Sequence, residues 1–403
     1  MDLCRRHSLL CPRVNVALEV YILFLTRLSS GDEAYRTHKS IFVQFSDNRK
    51  VLSTSHLNGG YREDLEAVFN FDSKPDDGKE YCMRSDTYEE ELKIVARELG
   101  LNPEKTTGIS TVVSMENVSI KTNTYKELTV TAIVTAGIAV NAGRVGDPAS
   151  FYEKEGQVVM LQPGTINIIL SINADMLPGT LARALVTCTE AKTAAVEELM
   201  ARSMFSRGLA TGSGTDETIV ICNSDSKHKL SFAGKHSKLG ELIGITVIEA
   251  VKEALYLHTG LSPEGQHSVF RRLDRFGIDE EKVWEKYSNL RKQPLEKDEF
   301  MKRLAILERS SDLVTLSSLY AHLIDQLDWR LLGTEEVAKE ATAILNAIGH
   351  RYNLTSNYHI NDNSISLEET IFSMAENFML LLVEILDTGE TRSDGSLVST
   401  RRK

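Results

Sequence analysis

The pattern of hydrophobic and polar positions divides the chain into a front part of mixed strands and helices and a back part of helices. Short β-branched runs predict strands, and apolar residues repeated every three or four positions predict helices. The predicted strands of the front part are 40–44, 50–53, 106–113, 128–136, 166–173 and 219–222. Its predicted helices are 88–99, 181–205 and 239–257. This mixture predicts an α/β or α+β domain over residues 14–258, with a mixed sheet and packed helices.

Two local features complete the prediction for the front part. The turn-forming residues 47–49 predict a hairpin between the first two strands. The apolar run 14–25 follows Arg5 and Arg6 as in a signal peptide, but Glu19 interrupts it and no small-residue cleavage site follows. Because the run is also too short to span a membrane, we predict a strand there and no membrane span.

Glycine and proline become rare in the back part, and helical spacing dominates it. Beyond a predicted linker at 258–265, the predicted helices are 266–276, 279–290, 296–309, 312–331, 334–350 and 366–387. The last begins with a capping-box pattern, Ser366-Leu367-Glu368-Glu369, and contains an apolar run at 378–385 that fits a core or dimer helix. We therefore predict an all-α domain over 266–387 and a disordered polar tail over 388–403.

Length and composition narrow the function. A chain of 403 residues is long enough for two domains. Its net charge of −11 argues against nucleic acid as the main partner, because phosphate binding needs a basic surface. Its five cysteines form no CxxC pair and no Cys/His cluster with zinc spacing. We therefore expect a cytoplasmic protein, and we assign no residue as a metal ligand.

Six segments of the front domain combine glycine with polar residues, mostly at predicted strand ends. They are Asn58-Gly59-Gly60, 135–147, Gly164-Thr165-Ile166-Asn167, 189–193, Ala210-Thr211-Gly212-Ser213-Gly214-Thr215-Asp216 and 234–244. One such segment is usually structural. Since ligand sites collect at strand ends, six in one domain predict loops that converge on one pocket. The segment 210–216 lacks the Gly-Lys-Ser/Thr ending of a phosphate-binding P-loop.

Over about residues 51–251 the chain resembles the adenosylcobinamide amidohydrolase family, CbiZ. The resemblance lies in motifs that follow the family's order: LNGG from Leu57, TAGxxxNAGRxGD from Thr135, GTINI from Gly164, TEAKTAA from Thr189, ATGSGTD from Ala210 and AGKHSKLGELIG from Ala233. It implies hydrolysis of the amide that joins aminopropanol to the corrin side chain of adenosylcobinamide. The implied products are adenosylcobyric acid and 1-amino-2-propanol, in corrinoid salvage for cobalamin biosynthesis.

Two positions depart from the family pattern. Ser213 stands where family members carry Thr, and it keeps the hydroxyl. His56 stands where they often carry small residues, so His56 is not counted as catalytic.

Amide hydrolysis needs an activated water or nucleophile, stabilisation of the oxyanion and a proton for the leaving amine. His236, the only histidine inside a motif, is the first candidate for acid or base, although it also fits a cap on the next helix. Glu190 and Lys192 are catalytic candidates that lie two apart on a predicted helix and therefore face different ways. Asp216 fits a base or a turn residue equally well. A general base, a covalent nucleophile and a metal ion all stay open.

The same segments supply the expected substrate contacts through amide, hydroxyl, carboxylate and backbone N–H groups. The candidates are Asn58, Gly59, Asn141, Asp147, Asn167, Thr211, Gly212, Ser213, Gly214, Thr215 and Glu241. The N–H groups of 212–215 are candidate oxyanion donors, and Thr211 and Thr215 are candidate nucleophiles.

The back domain has two interpretations. In some archaeal salvage proteins the amidohydrolase is fused to an α-ribazole-phosphate phosphatase, and 275–332 resembles that group faintly at Gly277-Ile278 and Asp325-Gln326-Leu327-Asp328. The other interpretation is a helical dimerisation or docking module. For the whole chain, the alternative to an amidohydrolase is a non-catalytic corrinoid-binding protein. We expect a corrinoid substrate, no required cofactor and no nucleic-acid partner, and a homodimer stays open.

Overall fold

The computed structural model of the chain describes residues 21–76, 83–149, 152, 164–361, 366–391 and 397–399. The front part is a mixed α/β arrangement and the back part is built of helices, which confirms the predicted fold class. The strands are β1 (Leu23–Arg27), β2 (Glu33–Arg36), β3 (Ser40–Gln44), β4 (Arg49–Ser53), β5 (Gly60–Arg62), β6 (Ala67–Asp72), β7 (Thr106–Thr111), β8 (Ser119–Tyr125), β9 (Leu128–Gly137), β10 (Ala142–Gly143), β11 (Thr165–Ile172), β12 (Asp175–Met176), β13 (Gly212–Ser213), β14 (Glu217–Asn223), β15 (Lys229–Leu230), β16 (Gly389–Thr391) and β17 (Leu397–Ser399).

Two sheets packed face to face form the centre of the front part. The first sheet has the strand order β1-β2-β3-β6-β7, and the second has the order β5-β4-β14-β11-β9-β8. The pairs β6–β7 and β11–β14 are parallel, and the other neighbours within these sheets are antiparallel. Ile169 and Ile219 of the second sheet pack against Ile41 and Val68 of the first. Because side chains alternate along a strand, the neighbouring residues of β11 and β14 face the other way.

Helices cover the outer faces of both sheets. The helices of the chain are α1 (Tyr88–Glu98), α2 (Pro178–Glu198), α3 (Lys238–Thr259), α4 (Val269–Leu273), α5 (Glu280–Leu290), α6 (Lys297–Leu307), α7 (Ser311–Asp328), α8 (Thr334–Arg351) and α9 (Leu367–Thr388). Helix α1 packs on the first sheet through Leu92 and Val95, which contact Phe42 and Phe69. Helices α2 and α3 pack on the second sheet. The front domain is thus a four-layer helix–sheet–sheet–helix sandwich.

The predicted hairpin between β3 and β4 is wrong, although both strands are present. Strand β3 pairs with β2 and β6 in the first sheet, whereas β4 pairs with β14 and β5 in the second. The turn 45–48 therefore links the two sheets. The fully buried Arg49 fixes this crossover, because its Nη2 lies 2.8 Å from Asp32 Oδ1. A buried pair of this kind depends on contacts distant in sequence, which a turn signal does not contain.

Helix α2 begins and ends earlier than predicted. It spans Pro178–Glu198 instead of 181–205. Met200 has the left-handed φ of 49°, and Ala201 N donates to Val196 O at 3.3 Å. This is a Schellman ending, which glycine usually forms. Because a methionine holds the position here, the sequence carries no stop signal.

Two predictions fall largely outside the described residues. Of the predicted strand 14–25, residues 14–20 are not described, and β1 begins at Leu23. Of the predicted disordered tail 388–403, the described strands β16 and β17 pair with each other in antiparallel fashion.

The back domain has a hydrophobic core of its own, with α9 in contact with α5, α6, α7 and α8. The apolar run 378–385 lies in that core, where Phe378 and Leu381 are fully buried. Ser366 caps α9 by accepting from Glu369 N at 3.2 Å, as its capping pattern predicts. None of the described helices is both long and apolar enough to cross a membrane.

Arginine side chains join the two domains. Arg207 of the front domain pairs with Asp328 at 2.7 Å and with Glu368 at 2.6 Å. Arg275 of the back domain donates to Arg207 O at 2.9 Å and forms a two-pronged, buried pair with Asp325. Asp325, one carrier of the faint phosphatase resemblance, is therefore engaged in an ion pair. The phosphatase interpretation stays a prediction.

Candidate active site where the two sheets cross

Strand β7 of the first sheet runs across one edge of the second sheet. Near its beginning, Thr107 Oγ1 donates to Ser53 Oγ of β4 at 3.2 Å. Near its end, Ser110 N donates to Glu217 Oε2 of β14 at 3.3 Å, and Asn167 Nδ2 of β11 donates to Ser110 O at 2.8 Å. We call this the crossing edge: the ends of β4 and β9 and the beginnings of β11 and β14.

Five of the six glycine-bearing segments lie at the crossing edge. Segment 57–60 follows β4, segment 135–147 contains the end of β9, segment 164–167 opens β11, and segment 210–216 precedes β14. Helix α2 runs back toward the same edge and brings segment 189–193 to it, as the ion pair between Lys192 and Asp216 shows. The sequence could predict this convergence because strand ends on one edge are neighbours in space.

The sixth segment lies elsewhere, so the prediction that all six converge is wrong. Segment 234–244 opens α3 beside the β8–β9 turn, where Lys238 Nζ is 4.6 Å from the centre of the Tyr125 ring. That turn is at the opposite end of β9 from the crossing edge. A Cβ on Gly240 would overlap the carbonyl of Gly234. Gly240 therefore permits a tight helix start.

Two predicted site residues of this sixth segment are consequently separated from the crossing edge, and a third, Glu190 of segment 189–193, is turned toward the sixth segment. His236 is exposed and makes no hydrogen bond or ion pair with the described residues. Glu241, also exposed, pairs with Lys238 in the first turn of α3. Glu190, on the outer side of α2, lies 3.2 Å from Lys235. A catalytic role for His236 or Glu190 and a binding role for Glu241 stay predictions.

Asp216 anchors the glycine loop 210–216. Its Oδ1 accepts from Ile166 N at 2.9 Å and from Ser213 Oγ at 2.7 Å. Its Oδ2 accepts from Ser213 N at 3.0 Å and forms an ion pair with Lys192. Only 11% of each charged side chain is exposed. Both carboxylate oxygens are thus occupied by donors that hold the loop against β11 and α2.

The backbone of the loop is fitted to this anchor. Gly212 has a φ of 157°, and a Cβ there would overlap the Asp216 carboxylate. Thr215 N donates to Ser213 Oγ at 3.2 Å, and Thr215 Oγ1 donates to Gly164 O at 2.8 Å. The N–H groups of Ser213 and Thr215, two of the expected oxyanion donors, are therefore engaged within the loop. Gly214 forms its exposed tip.

The predicted binding residues of the first segment hold it to the start of β7. Asn58 Nδ2 donates to the carbonyl oxygens of Pro103 and Thr106, both at 2.8 Å. Its Oδ1 accepts from Arg62 at 3.1 Å. A Cβ on Gly59 would overlap a backbone carbonyl of the same turn. Contacts of Asn58 and Gly59 with a substrate stay a prediction.

Two further binding candidates, Asn141 and Thr211, connect motif segments to one another, and a third, Asp147, holds the end of its segment to the loop after α2. Asn141 Nδ2 donates to Gly164 O, and Thr211 Oγ1 accepts from the backbone N–H that follows Arg144 at 3.0 Å. Asp147 accepts from Ser203 Oγ at 2.5 Å. Burial opposes ionisation of Asp147, but hydrogen bonds from neighbouring hydroxyls and a backbone N–H hold its pKa below the usual range. The segments therefore form one hydrogen-bonded assembly.

Asn167 joins the two sheets. It is 1% exposed, and besides Ser110 O its Nδ2 reaches Asn70 Oδ1 of the first sheet at 2.8 Å. Asn70 in turn donates to Thr135 Oγ1 at 2.8 Å, and Thr165 Oγ1 donates to Asn167 Oδ1 at 3.2 Å. Because buried amides are costly unless bonded, this network fixes how the sheets cross.

Sequence similarity to known proteins assigns the chain to a family. The sequence profile of the adenosylcobinamide amidohydrolase family, CbiZ, matches residues 25–263. The chain belongs to this amidohydrolase family. An uncharacterized protein from Methanocaldococcus jannaschii is 36% identical to it over 228 residues, which are 54% of this chain and 86% of that protein.

The part shared with the amidohydrolase family contains the whole crossing edge and ends before α4. Within the described ranges, no three His, Cys, Asp or Glu side chains are grouped so that they could hold a metal ion. Among the described residues, the crossing edge of this amidohydrolase-family domain offers an ion pair, amides, hydroxyls and further carboxyl groups, those of Asp147 and Glu217.

Glu217, the first residue of β14, is a functional candidate that the sequence reasoning missed. It is half-buried between the sheets, and its Oε2 accepts from Ser110 N at 3.3 Å and from Tyr88 OH at 3.4 Å. Burial raises its pKa to about 7, although both hydrogen bonds oppose the shift. One signal was present: the two-residue period of β14 turns Glu217 toward the same side as the buried Ile219.

Proposed function

We propose that this chain hydrolyses the amide bond that joins aminopropanol to the corrin side chain of adenosylcobinamide. The products are adenosylcobyric acid and 1-amino-2-propanol, in corrinoid salvage for cobalamin biosynthesis. The family match over residues 25–263 carries the proposal, because it includes every segment of the crossing edge. The proposed setting is the cytoplasm, which the cysteine spacing supports.

The geometry of the crossing edge supports a site for amide chemistry. The exposed tip of the glycine loop at Gly214 and the exposed His56 lie on segments that flank the start of β14. The half-buried Glu217 directly follows the glycine loop, and its hydrogen-bond partner Tyr88 packs against His56. A carboxyl group near neutral pKa beside hydroxyl groups can exchange protons with water and with an amine.

The direct test is incubation of the purified full chain with adenosylcobinamide, followed by mass spectrometry of the products. The proposal predicts stoichiometric release of 1-amino-2-propanol and a corrinoid with a new carboxylic acid. Tight binding of the corrinoid without release of aminopropanol would contradict it and would support a non-catalytic binding protein instead.

A further inference from the structure

The two carboxyl oxygens of Glu217 differ in their hydrogen bonding. Its Oε2 is directed toward Ser110 N and Tyr88 OH, whereas Oε1 accepts no hydrogen bond from the described part of the chain. The two bonds to Oε2, at 3.4 and 3.3 Å, are longer than the usual distance for a charged acceptor. Oε1 therefore keeps its capacity to accept a hydrogen bond from a water molecule or a substrate.

The preceding residue shows the opposite arrangement. Asp216 lies on the other face of the chain, and both its oxygens are occupied by backbone, hydroxyl and lysine donors. The consecutive carboxylates of Asp216 and Glu217 therefore have different roles. Asp216 fixes the loop, and Glu217 lies free of any ion pair with the described residues.

The groups that face Glu217 are hydroxyls and one aromatic pair. Tyr88 projects from the first turn of α1, and its OH lies 2.6 Å from Ser110 Oγ of β7. The exposed His56, from the loop after β4, packs edge-on against the Tyr88 ring with centres 5.2 Å apart. Lys192 of α2 is paired with Asp216 on the opposite side of the chain. Desolvation consequently governs the protonation of Glu217.

We infer that Glu217 is the proton carrier of the hydrolysis at this site. In its ionised form the carboxylate takes a proton from a water molecule, and the water oxygen bonds to the amide carbon. The C–N bond of the tetrahedral intermediate then breaks, and the proton passes from Glu217 to the leaving nitrogen. The corrinoid carboxylic acid and the amine are formed, and the carboxylate is regenerated. This inference rests on the proposed function and adds a catalytic residue to it.

The substitution that tests it is Glu217→Gln, which keeps the shape and removes the transferable proton. A proton carrier typically contributes roughly 10²–10⁴-fold to the rate. We expect kcat for adenosylcobinamide to fall at least ~100-fold, with KM and the far-ultraviolet circular dichroism spectrum little changed. Glu249→Gln, on the exposed side of α3, is the matched control and should keep wild-type kcat. A smaller loss in E217Q overturns the assignment.

The pH profile gives a second readout that does not depend on E217Q folding. Because the ionised carboxylate starts the reaction and its pKa is raised to about 7, wild-type kcat/KM should rise with pH through that region. The Tyr88 hydroxyl favours the ionised form, so Tyr88→Phe should shift this limb to higher pH. A limb at the same pH in Y88F contradicts the inference.

Different results overturn the proposed function and the role of Glu217. If the wild-type chain releases no aminopropanol, the proposed function is overturned. If the wild-type chain turns over and E217Q does so nearly as fast, only the role of Glu217 is overturned.

Discussion

At the residue scale, the central contrast is between Asp216 and Glu217. Strand geometry turns consecutive side chains to opposite faces, so one carboxylate meets α2 and the other meets the first sheet. Asp216 forms an ion pair with the Lys192 ammonium and accepts hydrogen bonds from three further donors. Glu217 is half-buried with no paired cation among the described residues, and this burial raises its pKa to about 7. The chemical difference therefore comes from the surroundings that β7 and α2 provide.

This difference predicts a pH-dependent effect of Glu217→Gln on stability. The folded protein keeps the proton of Glu217 up to about pH 7, whereas the ordinary pKa of a glutamate side chain is 4.5. The stability from the protonated form is thus present below pH 4.5 and lost as pH rises through 7. E217Q lacks this loss. Its free energy of unfolding in urea, relative to that of the wild type, should therefore increase by about 1–3 kcal/mol between acidic and alkaline pH. An equal difference at both pH values would contradict the burial of this carboxyl.

The ion pair of Asp216 predicts a different pattern. Asp216→Asn leaves the 11%-exposed Lys192 without its counter-charge. Breaking a buried pair in this way costs about 3–5 kcal/mol, whereas replacing both partners costs less. Denaturant unfolding should therefore show the double variant D216N/K192M to be more stable than D216N alone. A double variant that is less stable than either single variant would show that the pair is not what holds the loop.

Sequence reasoning could go only part of the way at this scale. The spacing of Glu190 and Lys192 predicted that they face different ways, and the structure places Lys192 in a buried pair and Glu190 at the surface. The sequence did not reveal Glu217, because the environment of this side chain depends on β7, more than 100 positions earlier in the chain. It favoured His236, because glycines that permit a helix start resemble those that approach a ligand.

At the element scale, local signals located most strands and helices but not their partners. The strands β3 and β4 are where the hydrophobic pattern puts them, yet they belong to different sheets. Pairing depends on distant contacts such as Arg49 with Asp32 and Asn167 with Asn70. The hydrogen bonds of Ser110 with Asn167 and Glu217 hold β7 across the second sheet and so create the crossing edge.

The glycine loop provides an element-scale prediction with an internal control. Gly212→Ala puts a methyl group into the Asp216 carboxylate at a φ of 157°, so the loop must move away from Lys192. Gly214→Ala adds a methyl group in open space. We expect G212A to lower the melting temperature and to reduce amidohydrolase activity at least ~10-fold, and G214A to remain folded like the wild type. Equal behaviour of the two variants in thermal unfolding and turnover would contradict the anchoring role.

At the scale of the whole molecule, ion pairs and a hydrogen bond of charged side chains connect the back domain to the front domain. Arg207 reaches Asp328 and Glu368, and Arg275 contacts the Arg207 backbone. The loop that carries Arg207 also carries Ser203, the hydrogen-bond partner of Asp147. The helices are thereby connected to a motif segment, although the family match ends at residue 263.

Arg275 predicts how strongly the helical domain depends on this junction. Arg275→Ala leaves Asp325 buried without its partner and should cost about 3–5 kcal/mol. Both tryptophans lie in the back domain, at 284 and 329, so their fluorescence follows its unfolding. Arg303→Ala, which breaks a partly exposed pair with Glu299 in one helix, should cost less than about 1 kcal/mol. Similar losses in the two variants would show that the buried pair of Arg275 and Asp325 stabilises the domain no more than the partly exposed pair does.

The central claim is that the chain cleaves a C–N amide bond with water. The most direct measurement is turnover of adenosylcobinamide in water enriched in oxygen-18, with mass spectrometry of both products. Hydrolysis by the proposed mechanism places one heavy oxygen in the carboxyl group of the corrinoid product and none in the 1-amino-2-propanol, and E217Q forms no labelled product on the same timescale. Absence of cleavage by the wild-type chain, or heavy oxygen in the amino alcohol, would contradict it.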